Sequence, residues 1–274
     1  RDRVSLFDVK SGKKLQMKTK RVDWKEMVPT KGEYPHFMIK EIHEQPRVLR
    51  NILVNFDERI MHFVKEIKKS KRVYFVGCGS AHHAAMIGSY LFAKVSNIEA
   101  IPVPGSEFMW KEKLLDKNSL AIFLSQSGET IDITEPLKVL KGKKFRTSAL
   151  VNMFGSTLYR LADQKIWLEA GQEICVLSTK AFTAKLAILL LSSYEARGNL
   201  DTGKQLLKAA VRETTRLVSE PYYRKIERLV DMFYRKEHVY VIGRGLSFPV
   251  GLATALKIKE VSYIHVEGFA AGEL

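Results

Sequence analysis

The chain has 274 residues, 46% of them hydrophobic, with 45 Lys or Arg against 30 Asp or Glu and a formal net charge of +15. That is enough apolar material for one large domain or two smaller ones, yet the longest apolar runs, such as Leu186 to Leu191, fall far short of the roughly 20 residues that a membrane-spanning helix needs. The two cysteines, Cys78 and Cys175, make no disulfide framework and have no partners at metal-ligand spacing, so a reducing, cytoplasmic setting without a metal is expected.

The basic residues are scattered among acids, which reads as a solvated surface and not as a nucleic-acid stripe; no nucleic acid or membrane partner is expected. Residues 1 to 35 hold ten Lys or Arg against five Asp or Glu, a third of the net excess. Within them, Val4 to Val9 and Lys14 to Met17 predict two strands around Ser11 and Gly12. Pro29, Gly32 and Pro35 then punctuate the chain. Residues 1–35 read as the tail of a preceding domain with its linker.

From Phe37 the pattern is helical. Pro46 is expected to break it once, after which Val48, Ile52, Phe56, Ile60, Phe63, Val64 and Ile67 form an apolar stripe as far as Lys68. Val73-Tyr74-Phe75-Val76 reads as a buried strand ending in the turn Gly77-Cys78-Gly79-Ser80, with a helix from Ala81 to Val95 behind it. The third glycine of a dinucleotide fingerprint falls on His82, so a nicotinamide nucleotide is disfavoured and no cofactor is expected. The turn is better read as carrying Ser80 and main-chain amides toward a ligand.

Further strands are expected at Ile98 to Val103, Leu120 to Leu124, Thr147 to Val151 and Lys165 to Leu168. Short apolar strands alternating with helices predict an α/β fold, a three-layer parallel sheet flanked by helices, with ligands at the carboxyl ends of the strands. The second of these strands, Leu120 to Leu124, ends abruptly in Ser125-Gln126-Ser127-Gly128-Glu129-Thr130 before Ile131, Leu137 and Leu140 resume a helical spacing. Main-chain amides and the positive end of a helix converge in such a loop, and Ser125, Gln126, Ser127 and Thr130 add side-chain donors: an anion cradle, read as a site for a phosphate-bearing small molecule.

After Glu169 the segment Ile174-Cys175-Val176-Leu177-Ser178-Thr179 leads into an apolar helix reaching about Glu195. Ser178 or Thr179 either caps that helix or faces the same pocket. Val239-Tyr240-Val241-Ile242-Gly243-Arg244-Gly245 then echoes Val73 to Gly79 at an offset of 166 residues, which implies two copies of one α/β unit. Only 29 residues follow Gly245, enough for a helix from Pro249 to about Ser262 and a strand near Ile264 to Val266. The expected domains are therefore 36–200 and the incomplete start of a second copy at 201–274. On that last helix Lys257 and Glu260 share a face. A lysine beside a carboxylate on a phosphate-holding cleft suits proton abstraction next to a carbonyl or imine, with Glu260 as base and Lys257 stabilising the developing charge.

Taken together, His36 to Pro46, Ser125 to Thr130, Ser178 to Thr183, Ala255 to Ile264 and Ala270 to Leu274 resemble the sugar isomerase (SIS) domains, specifically the isomerase half of the glutamine:fructose-6-phosphate amidotransferases, the glucosamine-6-phosphate synthases. The resemblance implies conversion of fructose 6-phosphate and glutamine-derived ammonia to glucosamine 6-phosphate, in a homodimer with a glutaminase domain upstream. By position it implies a phosphate cradle of Ser80, Ser125, Gln126, Ser127 and Thr130, with Val176 and Ser178 lining the sugar, Glu260 as the isomerisation base and Lys257 its neighbour. Two positions depart from the family pattern: Ser80-Ala81 stands where a threonine-serine pair is usual, and Ala253 where a glutamate is usual. The family's ring-opening histidine and Schiff-base lysine lie in segments beyond Leu274, and its glutaminase domain, with an amino-terminal cysteine nucleophile, lies ahead of Arg1, so the resemblance implies that this stretch alone neither completes isomerisation nor hydrolyses glutamine. His82, His83 and His265 are read as surface or satisfied core residues and not as stand-ins for that histidine. The alternatives are another SIS aldose-ketose isomerase or a glucosamine-6-phosphate deaminase, and a non-catalytic sugar-phosphate-binding module. The last usually follows paired helices, which residues 1–35 do not show.

Overall fold

The computed structural model describes residues 4–16 and 29–274, and the chain divides into two units, Arg1–Thr30 and Lys31–Leu274. In the first, β1 (Leu6–Phe7) and β2 (Lys14–Leu15) pair antiparallel. Asp8 closes the hairpin by accepting from the Ser11 amide at 2.7 Å, and Gly12 turns the chain at φ +66°. Both strands are shorter than expected, and the Met17 end lies outside the described residues.

In the second unit, α1 (Phe37–Asn55) runs straight through Pro46, which corrects the expected break. The amide that proline lacks would have bonded the Ile42 carbonyl, and the neighbouring Gln45 Nε2 donates to that carbonyl instead at 3.2 Å. The interruption falls at Phe56, ahead of α2 (Asp57–Lys68). The apolar stripe is buried as read: Val48, Ile52, Phe56, Ile60, Phe63, Val64 and Ile67 all lie in one core.

Five parallel strands form the central sheet in the order β4-β3-β5-β6-β7: β3 (Arg72–Gly77), β4 (Ala100–Pro104), β5 (Ser119–Ser125), β6 (Arg146–Val151) and β7 (Gln164–Trp167). Side chains alternate between two cores, as the period-two geometry of a strand requires. Val73, Phe75, Leu120, Ile122 and Leu124 enter the core shared with α1, α2, α3 (Ser80–Ser96), α6 (Lys180–Arg197) and α7 (Leu200–Leu217). Tyr74, Val76, Ala121 and Phe123 enter the other, beneath α4 (Ile131–Gly142), α5 (Thr157–Leu161) and a 3-10 helix at Gly105–Leu114. Each fully buried Phe or Leu contributes about 1.5–3 kcal/mol relative to an exposed one, so the three layers hold together from both faces of the sheet.

Small residues let α3 and α6 approach closely. Ala84, Ala85, Ala181 and Ala184 are buried, and a Cβ on Gly88 would lie 2.9 Å from the Leu189 side chain. That contact brings the first turns of both helices toward the carboxyl edge of the sheet.

Beyond α8 (Glu220–Phe233), β8 (His238–Gly243), α9 (Ser247–Ser262) and β9 (His265–Ala270) form a second parallel βαβ unit. The repeat seen in the sequence is repeated in the backbone. A Cβ on Gly77 would meet the Ala81 carbonyl carbon at 2.6 Å, and one on Gly243 the Ser247 carbonyl carbon at 2.4 Å. Gly79 and Gly245 follow at φ +52° and +57°, a region that favours glycine. The strand expected near Ile264 to Val266 starts at His265 and runs on to Ala270.

Candidate functional site

The turns after β3 and β5 open side by side into one cleft, of about 280 Å³, whose wall includes Ser80, Ala81, Ser125, Gln126, Ser127, Thr130, Val176, Ser178 and Glu260. Nine of the residues singled out in the sequence thus meet at one place. The tenth, Lys257, reaches it through its partners, described below.

The loop after β5 is held by its own backbone. The Gly128 amide donates to Ser125 Oγ at 2.9 Å and the Glu129 amide to Ser127 Oγ at 3.2 Å, which leaves each hydroxyl proton to serve another acceptor. Gly128 sits at φ +67°, and a Cβ there would lie 2.2 Å from Ser156 Oγ, so the loop turns only with glycine. Glu129 fastens it to the next turn by accepting from the Thr157 amide at 2.7 Å. No side chain caps α3 at Gly79 or α4 at Thr130, and although the Ala81 and Ile133 amides bond the Cys78 and Thr130 carbonyls, two helix starts, with their positive ends, lie at the cleft.

Lys257, from the third turn of α9, reaches across to the first α/β copy. Its Nζ donates to Ser80 Oγ at 3.1 Å and to the Ser178 carbonyl at 2.9 Å, and lies 4.5 Å from the centroid of the Phe182 ring. Burial pushes its ammonium below the ordinary lysine range, while Glu260, one turn on, favours the charge. The two α/β copies therefore contribute opposite walls of a single site.

The loop carrying Val176 and Ser178 is pinned from two sides by carboxylates. Buried Glu41 of α1 accepts from the amides of Ile174 at 2.6 Å and Cys175 at 3.2 Å. Glu173 accepts from the amides of Thr179 at 2.8 Å and Ala181 at 3.1 Å, and from both hydroxyls of Ser178 and Thr179. Neither Ser178 nor Thr179 caps α6 with its own side chain; Glu173 does so from outside the helix. Next to these, Lys180 Nζ donates to Glu44 Oε2, and Thr183 Oγ1 to Gln45 Oε1. The 36–46 and 178–183 segments, distant in sequence, are thus two sides of one bonded cluster.

Sequence reasoning passed over Glu41, Glu173 and Lys185. Glu41 sat in an unremarkable amphipathic helix, and Lys185 lies inside the apolar α6, where a single lysine among Ala and Leu is itself the detectable anomaly. Lys185 is fully buried in the cleft wall. His82, His83 and His265 do not line the cleft. Among the described residues the Nδ1 atoms of His82 and His83 are buried without a partner, although the His82 ring bonds the Val103 backbone, and burial holds His83 down to about 4. His265 is exposed. Among the described residues no group of three or more His, Cys, Asp or Glu is placed to hold a metal ion, and no helix is long and apolar enough to cross a membrane.

Residues 66–192 and 232–274 match the SIS domain family. The chain is 36% identical over 289 aligned residues to the glutamine–fructose-6-phosphate aminotransferase (isomerizing) of Clostridium tetani, covering all of this chain and 47% of that protein. It is 34% identical to the protein of the same name from Methanothermobacter thermautotrophicus, over 96% of this chain and 44% of that one. The chain therefore spans about half the length of the curated relatives it matches. Among solved structures, the C-terminal domain of the glucosamine-fructose-6-phosphate aminotransferase from Francisella tularensis superposes with a TM-score of 0.77 at 31% identity, over 90% of this chain and 73% of that one. A glucosamine-6-phosphate deaminase from Thermotoga maritima superposes at 0.68 with 26% identity, over 87% and 71%.

Proposed function

Since the chain belongs to the SIS domain family, we propose that it is the sugar-phosphate-handling part of a glutamine–fructose-6-phosphate aminotransferase, turning fructose 6-phosphate and glutamine-derived ammonia into glucosamine 6-phosphate. The observation that carries this reading is the meeting of the Ser125–Thr130 loop with the Lys257 and Glu260 side of α9 across one cleft. The phosphate sits in the cradle of Ser80, Ser125, Gln126, Ser127 and Thr130, at two helix starts that favour an anion. The sugar extends toward Val176 and Ser178.

Glu260 takes a proton from the carbon beside the carbonyl or imine and returns it to the neighbouring carbon, so that a ketose framework becomes an aldose one with no net loss of atoms. Lys257, steadied by Ser80 and the Ser178 carbonyl, stabilises the charge that develops on the enediol or enolamine. Residues 1–35 are the tail of the glutaminase domain and its linker, 36–200 the first SIS unit and 201–274 the beginning of the second. The protein works as a cytoplasmic homodimer, and its product enters amino-sugar biosynthesis toward UDP-N-acetylglucosamine.

The experiment compares Glu260→Gln with the parent in a polypeptide of the relatives' full length, following glucosamine 6-phosphate formed from fructose 6-phosphate and glutamine. A loss of a hundredfold or more in turnover is the expected result for a general base. Retained turnover removes Glu260 from that role. Ammonia release from glucosamine 6-phosphate without synthesis would favour the deaminase reading instead.

A further inference from the structure

α6 carries two lysines in its first two turns, and the fold treats them differently. Lys180 is buried and paired with Glu44. Lys185 is more deeply buried, with no exposed surface, and among the described residues its Nζ has no hydrogen-bond partner. A buried ammonium without an acceptor is among the costliest groups to place in a protein interior, so it is found where something else supplies the acceptor.

The surroundings narrow what that acceptor is. Of the charged groups nearby, Glu173 favours the Lys185 charge and Lys257 opposes it. Glu173 is already committed to the Ser178 hydroxyl, the Thr179 amide and hydroxyl and the Ala181 amide. Lys185 nevertheless belongs to the wall of the cleft, along with the Ser125–Thr130 loop.

We propose that Lys185 is a specificity-determining contact of this cleft: its ammonium takes an oxygen of the bound sugar's phosphate as its missing partner, so that the site selects a phosphorylated sugar over the neutral one by charge as well as by hydrogen bonding. The inference rests on the sugar-phosphate reading of the cleft. A hydroxyl-and-amide cradle alone binds any tetrahedral group of the right size, whereas a desolvated cation adds discrimination by charge.

The test is calorimetry of the 274-residue chain and two variants, Lys185→Met and Ser127→Ala, with fructose 6-phosphate, fructose and inorganic phosphate. Lys185→Met is expected to weaken fructose 6-phosphate at least tenfold and to leave fructose unchanged. If Ser127→Ala weakens fructose 6-phosphate while Lys185→Met does not, the cradle stands and the role of Lys185 is overturned. If the parent binds fructose 6-phosphate no better than fructose, the cleft reading falls and takes this inference with it. Should Lys185→Met not fold, nitrogen-15 lysine NMR of the parent decides. The Lys185 Nζ resonance is expected to shift on adding fructose 6-phosphate and not on adding fructose, and a resonance unmoved by the phosphorylated sugar overturns the proposal.

Discussion

Ile174 and Glu41 lie 133 residues apart and are joined by a 2.6 Å hydrogen bond, from the Ile174 amide to the carboxylate of a side chain only 2% exposed. With the second bond from the Cys175 amide, α1 fixes the height of the loop that brings Val176 and Ser178 to the cleft. Glu41→Ala removes the one oxygen, Oε1, that accepts both bonds and leaves two amides to find water. It is expected to cost about 1–3 kcal/mol of stability by urea unfolding, and to weaken fructose 6-phosphate binding without touching the ligand. Glu41→Gln keeps one acceptor oxygen and should recover most of both losses. An alanine variant as stable as the parent would show that the loop is held by something else.

The Ser125–Thr130 loop depends on Gly128 for shape. An alanine there must adopt φ +67° and put its Cβ 2.2 Å from Ser156 Oγ and 2.8 Å from Val151 Cγ2. The left-handed conformation alone costs about 1–2 kcal/mol, and the contact adds to it. Gly128→Ala is expected to lower the melting temperature by several degrees and to abolish fructose 6-phosphate binding detectable by calorimetry. Unchanged binding would mean that the loop does not shape the cradle.

Lys185 should leave a signature in the pH dependence of stability. Burial pushes its ammonium down from 10.5 to about 8, with Glu173 and Lys257 acting on it in opposite directions. In the folded state the lysine gives up its proton at lower pH than in the unfolded chain, so the unfolded state binds more protons between these values and stability rises with pH through that window. Lys185→Met is accordingly expected to be more stable than the parent below pH 8, by about 3 kcal/mol at most, with the gap closing as pH rises to 10.5. A gap independent of pH, measured by urea unfolding across that range, would contradict the buried charge.

Lys257 bridges the two copies of the α/β unit through Ser80 and Ser178. Lys257→Met is expected to reduce turnover of the full-length protein by a hundredfold or more, with a smaller effect on fructose 6-phosphate affinity, because its proposed partner is a charge that appears only during reaction. An equal loss in affinity and turnover would make it a ground-state contact.

Much of this architecture was legible from the chain. Strand positions followed from short apolar runs that stop at Gly77 and Ser125, and the 166-residue echo of Val73 to Gly79 at Val239 to Gly245 located a second βαβ unit. The proposed cradle was readable because Ser125, Gln126, Ser127 and Thr130 fall within six residues at the end of one strand. Pro46 misled because a side chain three residues from Ile42 replaces the missing amide, a substitution no local rule anticipates. Glu41, Glu173 and Lys185 were not legible as site residues for a related reason. Their roles depend on partners more than a hundred residues away, on an amide count at a loop end, or on the lack of any partner, and these exist only once the chain is folded.

The central claim is that a sugar phosphate is held where β3 and β5 give way to helices. Hydrogen–deuterium exchange of the 274-residue chain tests it by location. Fructose 6-phosphate should slow exchange of the amides around Gly79 to Ala81 and Gln126 to Thr130, with fructose leaving them unchanged; protection elsewhere, or equal protection by both sugars, would contradict it.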